Sequence, residues 1–191
     1  MRNRDDSPRA GIVASFVSLS AGEIDAWRDE LVRTYLAMYD LPRAAGPRFD
    51  AMLAEHAARE GFRLCVAMPE EDGLCIGFGY GFTGQPGQAW RDSLAMAMSD
   101  ELSELWLRGY FEFAEFGVIP AYRQRGVGGR LHDAVFRGLP HRRAVLTVRQ
   151  GNATARAFYE QRGWLALHDD FYASSGRGPY VMMGRELTPS Q

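Results

Sequence analysis

Phe116-Gly117-Val118-Ile119-Pro120-Ala121-Tyr122-Arg123-Gln124-Arg125-Gly126-Val127-Gly128-Gly129-Arg130-Leu131 runs from a β-prone apolar segment, through a glycine-rich turn, into a segment with helical periodicity. Gly126, Gly128 and Gly129 lack a Cβ, so a ligand can approach the main chain and the turn can take unusual dihedrals. The first N–H groups of the helix have no intrahelical acceptor, and the positive end of its dipole lies with them. Strand, turn and helix in that order make an anion site. Arg123, Arg125 and Arg130 add charge-assisted donors around it. The physics points to a diphosphate at a helix N-terminus. The plainer alternative is a solvated surface turn whose glycines serve only its geometry.

The kind of diphosphate is narrowed by spacing. Gly126-x-Gly128-Gly129 does not supply the G-x-G-x-x-G of a dinucleotide fold, and the Walker pattern needs a lysine. All 22 basic residues of this chain are arginine. The spacing Arg123-x-x-Gly126-x-Gly128, after a strand ending in Val118-x-Pro120, resembles the acetyl-CoA signature of the GNAT N-acetyltransferase superfamily. Further on, Asn152-x-x-Ala155-x-x-Phe158-Tyr159-x-x-x-Gly163-Trp164 resembles the second block of the same superfamily, at the expected distance. The two blocks cover about 110–164. Each residue of the second block also fits a structural role: Asn152 as an N-cap, Gly163 beyond the C-terminus, Ala155 and Phe158 as packing, Tyr159 as a ring with its hydroxyl at the rim.

The resemblance implies a cofactor site residue by residue. Backbone amides from about Arg125 through Gly126, Val127, Gly128 and Gly129 to Arg130 hold the pyrophosphate of coenzyme A, with Arg123 and Gln124 leading into the turn. Val118 lends main-chain hydrogen bonds to the pantetheine arm and an N–H toward the thioester oxygen, with Phe116 beside it. Asn152, Ala155 and Phe158 lie along the arm, and Tyr159 points its hydroxyl at the sulfur. The arm runs like an added strand between the diverging strands 110–119 and 144–149.

Acyl transfer to an amine requires that an ammonium lose a proton, that the oxyanion meet a fixed donor, and that the thiolate leave. Tyr159 is the candidate acid and the Val118 N–H the candidate oxyanion donor. For the base the strand offers Glu112 and Glu115. In the superfamily's histone-modifying branch, a glutamate six residues before the position matching Val118 takes this role, which lands on Glu112. Simple alternation puts Glu112 on the side of Phe116 and Val118, with Glu115 opposite; a bulge between them would reverse that. Either carboxylate also reads as a solvent-facing strand charge. His56, His132, His141 and His168 show no metal-ligand spacing, and no metal is expected.

Around these motifs the chain reads as one soluble domain. It has 191 residues, 46% hydrophobic and 24% charged, with net charge −2, so neither nucleic acid nor an anionic membrane is expected as a partner. No apolar run approaches the length of a membrane span, and the polar start lacks a signal-peptide core. Cys65 and Cys75 are too few for a disulfide framework and read as buried thiols, so cytoplasm is the expected compartment. A flexible tail is expected at 1–9 and a single N-acetyltransferase domain at 10–188. Strands are read at 11–19, 62–68, 74–82, 110–119, 144–148, 164–168 and 180–187. Helices are read from Ser20 with Glu23 as a capping box, then at about 48–61, within 89–108, at 127–138 and at 153–162. Antiparallel strands followed by a strand–helix–strand–helix–strand half make a mixed α/β (α+β) architecture. With the resemblance, this is a GNAT-like, mostly antiparallel sheet flanked by helices and splayed between 110–119 and 144–149.

One departure from the superfamily pattern is a helical insertion at 83–109. Its Trp90, Met96, Met98 and Trp106 form either core or a lid over an acceptor pocket. The expectation as a whole is an N-acetyltransferase moving an acetyl group from acetyl-CoA to a primary amine, with a small-molecule acceptor and a homodimer as a family-level expectation. The rival from another class is a non-catalytic acyl-CoA-binding sensor.

Overall fold

In the computed structural model, which describes residues 12–71 and 73–188, seven strands form one sheet in the order β1-β2-β3-β4-β5-β7-β6. The strands are β1 (Ala14–Leu19), β2 (Arg63–Pro69), β3 (Gly77–Thr83), β4 (Phe111–Val118), β5 (Arg143–Arg149), β6 (Leu165–Phe171) and β7 (Tyr180–Glu186). The helices are α1 (Ile24–Tyr39), α2 (Gly46–Ala57), α3 (Ala89–Ala97), α4 (Asp100–Leu107), α5 (Val127–Phe136) and α6 (Ala153–Glu160). The expected tail at 1–9 and the start of the first strand at Gly11 lie outside the described residues. Among the described residues, no helix is long and apolar enough to cross a membrane.

Main-chain packing divides the chain into two compact units. Among the described residues, one comprises 12–57, 63–71, 73–80 and 115–136; the other comprises 58–62, 81–114 and 137–188. In the first, β1 and β2 pair antiparallel from Ala14 opposite Pro69 to Leu19 opposite Leu64. The chain then turns into α1 through a single 3-10 turn, where the Glu23 carboxylate accepts from the Ser20 N–H at 2.8 Å and its hydroxyl at 2.6 Å. This is the capping box the sequence announces, with the α-helix proper starting one residue after Glu23. Leu31, Thr34 and Met38 give α1 its buried stripe, and Phe49 and Leu53 give α2 its own. Tyr35 stacks on Phe49 at 3.9 Å. Helix α5 packs on β1 and β2 through Val127, Leu131 and Val135, spaced by four. Strand β3 begins at Gly77, later than its apolar run suggests, because the Cys75 N–H donates to the Glu30 carboxylate at 2.7 Å and so leaves the ladder. Cys65 and Cys75 are free, buried thiols.

In the second unit, β5 pairs antiparallel with β7 along its whole length. Strand β4 joins β5 in parallel only at Phe111/Ala144 and Glu112/Val145. The insertion folds as α3 and α4, the latter capped by Ser99, whose Oγ accepts from the Leu102 N–H. Trp106, 6% exposed, enters a core with Leu94, Tyr110, Val145, Phe171 and Met182. Its ring occupies the space above Gly184, where a Cβ would lie 2.6 Å away. Trp90 meets Phe171 and Tyr180 edge-on at 5.6 and 5.8 Å, and Met98 packs against the same core. Met96 is 85% exposed. Three of the four large residues are therefore scaffold.

The β3–β4 pairing contains a register change. Ile119 N–H donates to the Ile76 carbonyl at 2.8 Å, and Gly84 N–H donates to the Tyr110 carbonyl at 3.0 Å. Ile76 to Gly84 is eight steps, whereas Tyr110 to Ile119 is nine, so β4 holds one extra residue. The near approaches of Gly77 to Val118 and of Gly81 to the Glu112 carbonyl place it between Phe113 and Val118. Such a bulge reverses the alternation of side chains across it. Glu112 therefore stands on the side opposite Val118, and the expectation from simple alternation for that pair is corrected.

Candidate active site

The glycine-rich turn forms as its sequence dictates. A 3-10 turn at Pro120–Tyr122 ends β4, and the main chain then takes positive φ at Gln124 (59°) and at Gly126 (78°). At Gly126 no heavy atom lies within 4 Å of where a Cβ would stand. The glycine is needed there for its dihedral and leaves open space beside the backbone. The Arg130 N–H donates to the Gly126 carbonyl as α5 begins, so the amides of Val127, Gly128 and Gly129 belong to the helix's first turn, which has no earlier carbonyls to bond.

The three arginines do not act alike. Arg123 donates through Nε to the Val118 carbonyl at 2.8 Å and through a terminal nitrogen to the Met38 carbonyl at 2.6 Å. It ties the end of β4 to the end of α1 and braces the turn from behind. Arg130 lies over the Phe16 ring, 5.0 Å from its centre. Arg125 has a buried Nε without a protein partner. That orphaned donor, the positive-φ turn and the open helix end together suit an anionic diphosphate.

In the other unit, Asn152 caps α6, its Oδ1 accepting from the Ala155 N–H at 3.1 Å. It also lines a cleft of about 450 Å³ with Arg149, Gln150, Gly151, Gly178 and Pro179. Tyr159 is buried on α6, its ring 5.3 Å from Phe158 and 5.8 Å from Trp164. The capping role that the sequence allowed for Asn152 is realised. Arg162 lies over the Phe158 ring at 3.8 Å, which fixes that aromatic at the helix C-terminus.

The two strand glutamates each accept a tyrosine hydroxyl. Tyr110 donates to Glu112 Oε2 at 2.8 Å, and Tyr39 donates to Glu115 Oε2 at 2.9 Å. Burial pushes both carboxyls up to about 7; the tyrosine hydrogen bonds, and Arg59 for Glu112, act in the opposite direction. The Tyr110 hydroxyl is held well above its usual range, first by burial and then by Glu112. Both carboxyls therefore titrate where a general base works. Tyr110 was legible in principle, two residues before Glu112 on one strand and hence on one face. Nothing local in the sequence pointed to Tyr39.

The chain matches the acetyltransferase (GNAT) family over residues 24–164. It belongs to that family. The family is one of acyltransferase enzymes that use acetyl-CoA as co-substrate. A GCN5-like protein acetyltransferase of Mycobacterium tuberculosis is 22% identical, the match covering 90% of this chain and 97% of that protein. A Pyrococcus horikoshii protein of known structure superposes with a TM-score of 0.66 at 17% identity, over 92% of this chain and 99% of that one. The ribosomal-protein-S18-alanine N-acetyltransferase of Escherichia coli does so with a TM-score of 0.60 at 16% identity, over 94% and 97%. At such identities the structural likenesses speak for the fold, and membership of the family makes the acetyltransferase an enzyme of acyl transfer.

Proposed function

We propose that the enzyme transfers the acetyl group of acetyl-CoA directly to a primary amine of a small-molecule acceptor. The observation that carries this reading is the start of α5, where Gly126 takes a positive φ with no heavy atom near its missing Cβ and the buried Arg125 Nε has no protein partner. In this reading the amides from Arg125 to Arg130 hold the pyrophosphate, with Gln124 at the entrance. Val118, Phe116, Asn152, Ala155 and Phe158 serve the pantetheine arm. The amine lone pair attacks the thioester carbon while the Val118 N–H faces the developing oxyanion. The C–S bond breaks, Tyr159 supplies the thiolate with a proton, and Glu112 accepts the proton the ammonium gives up, directly or through one water. A small acceptor is favoured because the insertion of α3 and α4 packs inward instead of offering a peptide surface.

A protein or peptide amine is the second reading, favoured by the name of the mycobacterial relative. A screen of small amines and of peptides with acetyl-CoA, reading free thiol, separates the two. Thiol release with small amines is expected; release with peptides alone would transfer the reading to protein acceptors, and release with neither would overturn it. Acetyl-CoA should raise the melting temperature, since a ligand at a hundredfold excess over its Kd adds about 2.7 kcal/mol. Gly128→Val should abolish most of that shift while the unliganded protein stays folded, because a branched side chain would crowd the pyrophosphate. Tyr159→Phe should keep acetyl-CoA affinity and lower turnover by about 10²-fold.

A further inference from the structure

The loop between β6 and β7 is fastened to the inserted helix α3 at both its ends and its middle. Trp90 meets Phe171, the last residue of β6, and Tyr180, the first of β7, edge-on. The Arg177 guanidinium lies over the Trp90 ring, 5.9 Å from its centre. Ser93 is only 7% exposed, and its Oγ lies 2.8 Å from the Ala89 carbonyl and 2.9 Å from the Ser174 Oγ. A hydroxyl carries one proton, and a carbonyl can only accept. The Ser93 proton therefore goes to Ala89, and Ser174 donates its own hydroxyl to Ser93. The Ser174 N–H donates to the same oxygen at 3.4 Å. Ser93 thus offers the loop a buried acceptor. Within the loop, the Ala173 N–H donates to the Arg177 carbonyl and the Gly176 N–H to the Ala173 carbonyl, each at 2.8 Å.

The far end of the loop reaches the cofactor side. Gly178 and Pro179 line the cleft of about 450 Å³ together with Arg149, Gln150, Gly151 and Asn152. The Pro179 carbonyl accepts from the Gln150 N–H at 3.1 Å, so the loop holds the corner between β5 and α6 in which Asn152 stands. Gly178 leaves it little slack, since a Cβ there would lie 2.7 Å from the Phe171 carbonyl. Tyr172 and residues 174–177 are exposed. Such a loop buries little of itself, and its position depends on the ties that reach it from outside. We propose that α3 braces this loop, with Trp90 and Ser93 as positioning residues that set the cleft in which Asn152 meets the pantetheine arm of acetyl-CoA. The assignment rests on the reading that Asn152 serves that arm, and it gives the insertion a part in cofactor binding beyond filling the core.

The test separates the arm from the nucleotide. Acetyl-CoA carries both, whereas 3′-phosphoadenosine 5′-diphosphate is the nucleotide alone. In calorimetric titrations the wild type should bind each of them. Ser174→Ala removes the tie at an exposed position and opens no cavity in the core. It should weaken acetyl-CoA about fivefold, the scale of one neutral hydrogen bond, and leave the nucleotide unchanged. Trp90→Leu should act in the same direction and more strongly. Ser174→Thr keeps the hydroxyl and should restore wild-type affinity. Hydrogen exchange at the Gln150 and Ala173 amides should quicken in Ser174→Ala and Trp90→Leu, and stay slow in Ser174→Thr. Wild-type affinity for acetyl-CoA in both loosened variants would overturn the proposal, as would equal weakening of the two ligands. If the wild type binds neither ligand while the amides quicken as described, the brace stands and the coenzyme reading of the site falls instead.

Discussion

Strand β4 carries the same chemical pair twice, a glutamate accepting a tyrosine hydroxyl, in two surroundings. Tyr110 is fully buried and Glu112 only 5% exposed, whereas Tyr39 is 44% exposed. Tyr110 precedes its glutamate by two residues; Tyr39 precedes its own by seventy-six. The first pair is dry and local, suited to holding and releasing a proton in a low dielectric. The second reaches another helix through a tyrosine that is open to solvent. Identical hydrogen bonds thus imply different work once access is known.

The sharpest way to break this division is kinetic. Glu112→Gln should lower kcat at neutral pH by at least about 10²-fold, with partial recovery at high pH where free amine becomes abundant. Glu115→Gln should leave kcat with saturating amine nearly unchanged. If Glu115→Gln instead carries the pH-dependent loss in kcat, the assignments are exchanged.

Stability against pH gives the next largest contrast. For both carboxyls the folded-state value, about 7, lies above the ordinary 4.5. The folded state therefore binds the proton more tightly than the unfolded one. Stability from this source is full below about 4.5 and is lost as pH rises to about 7. For Glu112 the shift corresponds to an upper limit of about 3 kcal/mol above pH 7. Glu112→Gln should accordingly raise the melting temperature at pH 8 and hardly change it at pH 4. Glu115→Gln should follow the same sign with a smaller gain, since solvent reaches that pair. A gain at pH 4 equal to that at pH 8 would show that burial of charge is not the cause.

The smallest effects come from the tyrosines. Tyr110→Phe removes a bond that lowers the Glu112 value, so the pH profile of kcat/KM should move upward. Tyr39→Phe should leave that profile in place and change stability by no more than about 0.5 kcal/mol, as expected for an exposed hydroxyl. A displaced profile in Tyr39→Phe would show the two pairs to be coupled.

Much of the frame was legible because its signals are local. The Ser20/Glu23 box, the four-residue spacing of Val127, Leu131 and Val135, and the glycines of the turn each act over a few residues. β6 was harder to bound. It runs to Phe171, beyond the expected end at 168, because His168, Asp169 and Asp170 interrupt the apolar pattern while pairing resumes through register shifts. At the candidate site, sequence alone named the turn, Asn152, Tyr159 and both glutamates. It did not reveal that Arg123 is spent on two carbonyls.

What the sequence determined by itself is the order of elements, the glycine-rich turn and the family, since periodicity, caps and motif spacing are written in consecutive residues. Tertiary structure alone decided on which side of β4 Glu112 stands relative to Val118, because one bulge residue shifts a period-two pattern without altering composition. It also decided which tyrosine each glutamate meets and which of those tyrosines touches water. Burial is a property of the whole packed chain, and burial is what separates the Tyr110–Glu112 pair from the Tyr39–Glu115 pair.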